Sequence, residues 1–210
     1  EDGIRDHCVT GVQTCALPIS TGDNVTFSST VNSDSGGARG LTIATGTAAT
    51  VQFNDIVGGT YALGAIQITG TSAALDLNAA ITSAASLSVS GASDLGANVT
   101  TSGTQTYTGA VTVSGSGTRT LTGTTVTNSS TLDGGAIALT ITGNASIGGA
   151  ITNVTNLSIS GTSTIGADIT TSGTQTYTGA VTLSVSPTLT TTSNTITFSS
   201  TVNRDRKSTR

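Results

Sequence analysis

Thirteen residues, Thr100 to Thr112 (TTSGTQTYTGAVT), return unchanged at Thr170 to Thr182, seventy positions later. Around them, Leu87 to Leu132 aligns with Leu157 to Val202 without a gap, with about 30 identities in 46 positions. A chain that copies itself at fixed spacing builds a stack of similar units, each burying its apolar side against its neighbours. That points away from one idiosyncratic globule and narrows the function to a surface or scaffold role.

The units are made of strands. Leu41/Ile43, Val51/Phe53, Ile66/Ile68, Leu75/Leu77, Leu87/Val89, Val111/Val113, Leu139/Ile141 and Leu157/Ile159 are all i, i+2 apolar pairs. Period two sends alternate side chains to opposite faces of a strand. Abundant Thr favours the strand further, while the Gly content and the scarcity of charged helix formers oppose helix. An apolar-x-apolar-x-Gly pattern then ends the strands at Gly70, Gly91, Gly115, Gly143 and Gly161, predicting a corner after about five residues. Successive marks fall mostly about 18 to 28 residues apart, within the range of a solenoid coil.

Two architectures use such strands. A β-solenoid stacks coil on coil around a narrow continuous core; a tandem array of β-sandwiches closes a separate core in each unit. Short strands and small or medium inward residues favour the solenoid, specifically a right-handed parallel β-helix. Each inward Val, Leu or Ile contributes roughly 1.5–3 kcal/mol when buried, so a few per coil sum to a stable stack.

The two ends carry a different regularity. Codons ACG TGT GCT CTT CCG ATC encode Thr14 to Ile19, and their reverse complement encodes Asp205 to Arg210. The termini therefore read as one DNA segment translated on opposite strands, and they resemble a short-read sequencing adapter. Residues 1–19 and 205–210 are assigned to non-native tails, expected to be disordered or arbitrarily docked, and residues 20–204 to the repeat region. The tails hold His7, Cys8, Cys15, Glu1 and Lys207, which are the only His, Cys, Glu and Lys of the chain.

What remains is mildly acidic. Asp23, Asp34, Asp55, Asp76, Asp94, Asp133 and Asp168 face only Arg39 and Arg119 between Thr21 and Asn203, a net charge of about −5. Two cations do not neutralise a run of phosphates, so nucleic acid is not an expected partner. No thiolate metal site or disulfide framework is available, and no apolar run is long enough to span a bilayer. A second, longer period relates Thr26 to Asn32 (TFSSTVN) with Thr197 to Asn203, which predicts a fragment of a longer array.

The peptides TTSGTQTYTGAVT and TFSSTVN, the stretch Leu41-Thr42-Ile43, and Val57-Gly58-Gly59-Thr60 leading into Ala62-Leu63 resemble the β-strand repeats of large bacterial surface exoproteins. The families named by this resemblance are filamentous-haemagglutinin-like proteins and autotransporter passenger domains. It implies a secreted or outer-surface adhesin or stalk, whose partners would be glycans or matrix proteins of host or neighbouring cells. Self-association through exposed solenoid ends is a further expectation. Alternatives are a surface-layer or extracellular-matrix repeat, and a piece of a β-helical carbohydrate-active enzyme.

No catalytic, cofactor-binding or metal-ligating residue is assigned, and no cofactor is expected. Carbohydrate chemistry needs convergent carboxylates, for which Asp133 and Asp168 are the pair considered; turn-forming roles explain them more simply. Asp23-Asn24, Asp34 and Asn54-Asp55 offer oxygen ligands for calcium, without the Gly-Gly-x-Gly-x-Asp repeat of calcium-binding β-rolls. Thr104, Thr106, Thr108 and Thr174, Thr176, Thr178 resemble the ladders of ice-binding solenoids, but mixed residues in between read as a broken array on a solvated face. Six Asn-x-Ser/Thr sequons, at Asn24, Asn98, Asn128, Asn144, Asn153 and Asn156, follow from composition in so Ser- and Thr-rich a chain.

Overall fold

A computed structural model describes residues 16–18, 24–45, 49–192 and 194–204. Residues 1–15, 19 and 205–210 of the tails, with His7, Cys8 and Cys15, lie outside the described residues, as does Asp23. Ala16–Pro18, inside the first assigned tail, lies in parallel register beside Leu41–Ala44.

The described chain is all-β: 21 strands in one continuous sheet, wound as a parallel β-solenoid of about eight turns. Each coil has three faces, visited in fixed order. The first face stacks Leu41–Ala44, 66–68, 87–89, Gln105–Tyr107, 126–128, 145–147, Ser163–Ile165, Val181–Leu183 and Val202–Arg204. The second stacks Val25–Phe27, Thr50–Phe53, Ala74–Leu77, Ser93–Leu95, Val111–Val113, 132–133, 151–152, Ile169–Thr171 and Leu189–Thr191. The third runs through Val31, Val57, Ile81, Val99, Leu121, Ile141, Ile159, Tyr177 and Phe198. Every strand pairing is parallel, whereas tandem β-sandwiches require antiparallel sheets packed face to face; the solenoid is the architecture the chain builds.

All eight apolar pairs read from the sequence lie in strands, and their members point inward. Ile43, Ile68, Val89, Tyr107, Asn128, Ile147 and Ile165 stack along the first face, and successive members of that column lie 18 to 25 residues apart. The core is thus a set of columns running the length of the solenoid.

Four strands run well past the expected length. Ile81–Val89, Thr118–Asn128, Leu132–Ile147 and Ile151–Ile159 pass through corners without leaving the ladder. The register shifts between Thr122 and Thr125 instead of breaking, because a bulge absorbs the bend while neighbouring coils stay hydrogen-bonded.

One outcome is invisible at the level of local pattern. The second copy of the repeat begins at Leu157 on the third face, whereas the first begins at Leu87 on the first face. Seventy residues carry the chain through three coils and two further faces, so the copies are two-thirds of a turn out of phase.

Corners are fastened between coils by asparagine and aspartate. Oδ1 of Asn24, Asn32, Asn98, Asn144, Asn156 and Asp168 accepts from the backbone N–H of Thr50, Thr60, Thr120, Thr162, Thr174 and Thr188, at 2.7–3.0 Å. Each acceptor satisfies a backbone amide of the following coil. Four sequon asparagines, Asn24, Asn98, Asn144 and Asn156, are therefore structural clamps. Asn128 is buried, with Nδ2 donating to Ser130 O, and Asn153 Nδ2 donates to Asp133 Oδ1 at 2.8 Å.

Candidate functional site

Outward residues show what the solenoid presents. On the first face, Ser88, Thr106, Thr127, Ser146, Thr164 and Thr182 stand in register on six successive coils. On the third, Thr120, Thr140, Ser158, Thr176 and Thr197 do the same on five. Neighbouring coils lie about 4.8 Å apart, so the outward centre of each face is a regular column of hydroxyls along the axis. The central column of each face carries a Ser or Thr hydroxyl on every one of these coils, but Asn144 stands opposite Thr125 and Ala138 opposite Thr118 beside it, so paired threonines do not recur on every coil, as the mixed sequence implied. The threonines of the two repeat copies nevertheless belong to different ladders, Thr106 to the first face and Thr176 to the third.

Charge is segregated. From residue 84 to residue 200 the ionisable side chains are Asp94, Tyr107, Arg119, Asp133, Asp168 and Tyr177. Asp94 and Asp133 stand on the second face, and Asp168 lies one residue before Ile169–Thr171 of that face. Arg119, Tyr107 and Tyr177 are buried. Across this stretch the outward sides of the first and third faces carry no ionisable group.

Asp133 and Asp168 do not converge. Asp133 is ladder partner to Thr112 and Thr152, and Ile169, next to Asp168, pairs with Ile151 and Leu189, two coils further along. The Gly135 amide, with Asn153 beside it, holds the Asp133 carboxyl below its ordinary range. The acids brought together are Asp76 and Asp94, direct partners on adjacent coils of the second face. They line a shallow depression with Thr50 and Thr112. Gln52 Nε2 donates to Asp76 Oδ2 at 2.7 Å, and Ser114 Oγ donates to Asp94 Oδ1. In-register like charges oppose the stack by roughly 0.2–1 kcal/mol. Asp76→Asn keeps the acceptor for Gln52, so it should raise the unfolding free energy by about that amount at low salt. Chemical denaturation at two ionic strengths checks this, the gain shrinking as salt screens the pair.

The described residues considered for calcium, Asn24, Asp34, Asn54 and Asp55, accept hydrogen bonds from this chain. Asp34 Oδ2 accepts from Arg39 Nε and lies 3.0 Å from Arg39 Nη2; with the Gly36 amide, this holds its carboxyl below the ordinary range. Asp55 accepts from the Ile56 amide at 2.7 Å, and Asn54 Oδ1 accepts from Asn78 at 3.0 Å. Among the described residues no group of three or more His, Cys, Asp or Glu converges.

Sequence reasoning passed over the polar groups inside the repeat. Gln105 is fully buried, and its Nε2 donates to Thr122 O at 2.8 Å and Val99 O at 3.2 Å. Its Oε1 accepts from Tyr107 Oη at 3.0 Å, and Thr101 Oγ1 donates to Gly103 O at 3.0 Å. The second copy repeats the network: Gln175 to Thr190 O and Ile169 O, Tyr177 to Gln175, Thr171 to Gly173. The signal was present, because placing Thr104, Thr106 and Thr108 outward sends Gln105 and Tyr107 inward. Arg119 also points inward, its Nη2 donating to Ser114 O at 2.6 Å and its Nε left without a partner.

Burial pushes both phenols well above the ordinary tyrosine range. Above the unfolded value near 10 the unfolded chain ionises first, so the folded state holds more protons and stability falls as pH rises. The expected slope is about 1.4 kcal/mol per pH unit for each tyrosine, beginning near pH 10 and continuing up to the folded values. Denaturation measured from pH 9 to 11 checks it, and Tyr107→Phe with Tyr177→Phe should flatten the curve.

Among the described residues, no helix is long and apolar enough to cross a membrane. No protein-family profile, curated protein or solved structure matches the chain.

Proposed function

We propose that the chain is a non-enzymatic structural and adhesive segment of a large secreted or cell-surface bacterial protein, a rigid solenoid that contacts neutral hydroxyl-rich partners along its sides. The observation that carries this reading is the pair of hydroxyl columns on the first and third faces, free of charge between residues 84 and 200, set against Asp76, Asp94 and Asp133 on the second. A neutral array of donors and acceptors suits glycans or matrix proteins of host or neighbouring cells, each contact being weak. Repetition along the axis converts weak contacts into useful avidity. A surface-layer or matrix repeat draws on the same lateral faces and differs in its partner, a neighbouring solenoid.

The experiment is surface display at high density on beads, followed by binding to glycan arrays, matrix proteins and cells. Retention is expected, and replacing Thr106, Thr127 and Thr164 by Lys should abolish it without unfolding, since those side chains point to solvent. Absence of retention on every surface at high density would overturn the adhesive reading.

A further inference from the structure

The corner between the second and third faces is irregular on two adjacent coils. The ladder between Leu132–Ile147 and Ile151–Ile159 shifts register between Asp133 and Ile137, and again between Ile137 and Leu139. The following ladder shifts between Ile151 and Val154. Bulges of this kind put extra residues into a strand and re-aim their side chains. Among the described residues, three that are not glycine have φ in the left-handed region, and two of them stand here: Ala136 at +59° and Asn153 at +57°. Asparagine tolerates that conformation, whereas alanine has no polar side chain to offset it.

A depression of about 180 Å³ opens beside these two residues, with Val154, Thr170, Ser172 and Thr192 also on its walls. Ala136, Asn153, Thr170, Ser172 and Thr192 are exposed, while Val154 is buried. The Asn153 amide is held in one orientation. Its Nδ2 donates to Asp133 Oδ1 at 2.8 Å, which also accepts from Gly135 N–H at 2.9 Å, so Asn153 Oδ1 is the atom left to accept. Backbone amides at the corner are already engaged between coils, Ser172 N–H with Val154 O at 2.9 Å and Thr192 N–H with Thr171 O at 3.3 Å. Recognition here therefore falls to side chains and not to strand addition.

The lining is neutral: hydroxyls, one amide and two small apolar groups. That set matches a ring with hydroxyls on its rim and C–H groups on its face. The volume lies below that of sites for drug-sized ligands, so it suits one ring and not an extended segment. We propose that this depression is a subsite for a single neutral pyranose residue of a glycan. Asn153 Oδ1 accepts from one ring hydroxyl, Thr170 and Ser172 exchange hydrogen bonds with its neighbours, and Ala136 and Val154 take the C–H face. The Asp133 carboxylate behind the amide repels acidic sugars. This subsite rests on the adhesive reading and locates within it the contact that selects the sugar.

The test is saturation-transfer NMR on the full chain with the methyl glycosides of glucose, galactose, mannose and N-acetylglucosamine. Methyl glucuronide serves as the charged counterpart. At least one neutral probe should bind in the millimolar range, and the glucuronide more weakly than the glucoside. Asn153→Gly removes the acceptor while glycine adopts a positive φ freely. Its melting temperature should hold or rise as affinity falls by about tenfold. Ser172→Ala, at an exposed hydroxyl, should weaken binding by about two- to tenfold. An asparagine with only a structural role would do the reverse, its loss lowering stability and leaving binding intact. Absence of transfer to every neutral probe, or parental affinity in both variants, would overturn the subsite. Bead retention through the hydroxyl columns would stand as a separate result.

Discussion

Gln105→Glu should destabilise the solenoid by about 3–4 kcal/mol at pH 7. The buried amide donates through Nε2 to carbonyls of Val99 and Thr122 and accepts from Tyr107 through Oε1. A carboxylate there would face carbonyl oxygens with no donor except the tyrosine. Burial of this kind raises a glutamate to roughly 8–9, so the folded variant carries a proton that the unfolded chain, titrating near 4.3, has released. Holding that proton at pH 7 costs about 1.36 kcal/mol for each unit between 4.3 and 7. The sign follows directly. The penalty is small below pH 4.3 and grows as pH rises toward the folded value, so denaturation at pH 4 and pH 7 separates it from simple loss of packing. Gln105→Met, which removes the hydrogen bonds without a charge, should be destabilising at both pH values. A variant as stable as the parent at pH 7 would contradict the network.

The second large effect is expected at the corner between the third and first faces. Gly103, Gly123, Gly143, Gly161 and Gly179 stack there on five successive coils, each approaching the backbone of the one before. Gly143 has φ +131°, and a Cβ on it would collide with the carbonyl oxygen of Gly123. Its own carbonyl accepts from Gly161 N–H at 2.9 Å, so displacement propagates to the next coil. Gly143→Ala should therefore cost about 3–5 kcal/mol, combining backbone strain with overpacking. Gly37 provides the control, with φ +138° and open space around its Cβ position. Gly37→Ala meets the strain alone and should cost about 1–3 kcal/mol. Because coils contact only their neighbours, a break at Gly143 should also uncouple the two halves. Differential scanning calorimetry would show that as a broadened or divided transition, and a single unshifted peak would contradict it.

The strands and corners were legible because their causes are local. Period-two pairs such as Leu87/Val89 place side chains in or out without reference to anything distant. The glycines at 91, 115, 143 and 161 mark bends for equally local reasons, and the exact peptide repeat selected a stack over a globule. Adhesion and surface location remain the proposal made above, since hydroxyl composition suggests a partner class without defining a site.

What the sequence determined by itself was therefore the material and the winding: β-strands, glycine corners and a columnar apolar core. Only the tertiary structure decided the phase. Coils advance by 18 to 25 residues along the first-face column, and these unequal lengths accumulate, so seventy residues end on a different face. That phase places Gln105 and Gln175 on different sides of the core and pairs Asp76 with Asp94 while parting Asp133 from Asp168. It also aligns Thr120, Thr140, Ser158, Thr176 and Thr197 into one column. The physical reason is that alternation along a strand fixes inside against outside, while the choice among three faces is set by the summed lengths of all preceding corners. A pattern of period two carries no record of that sum.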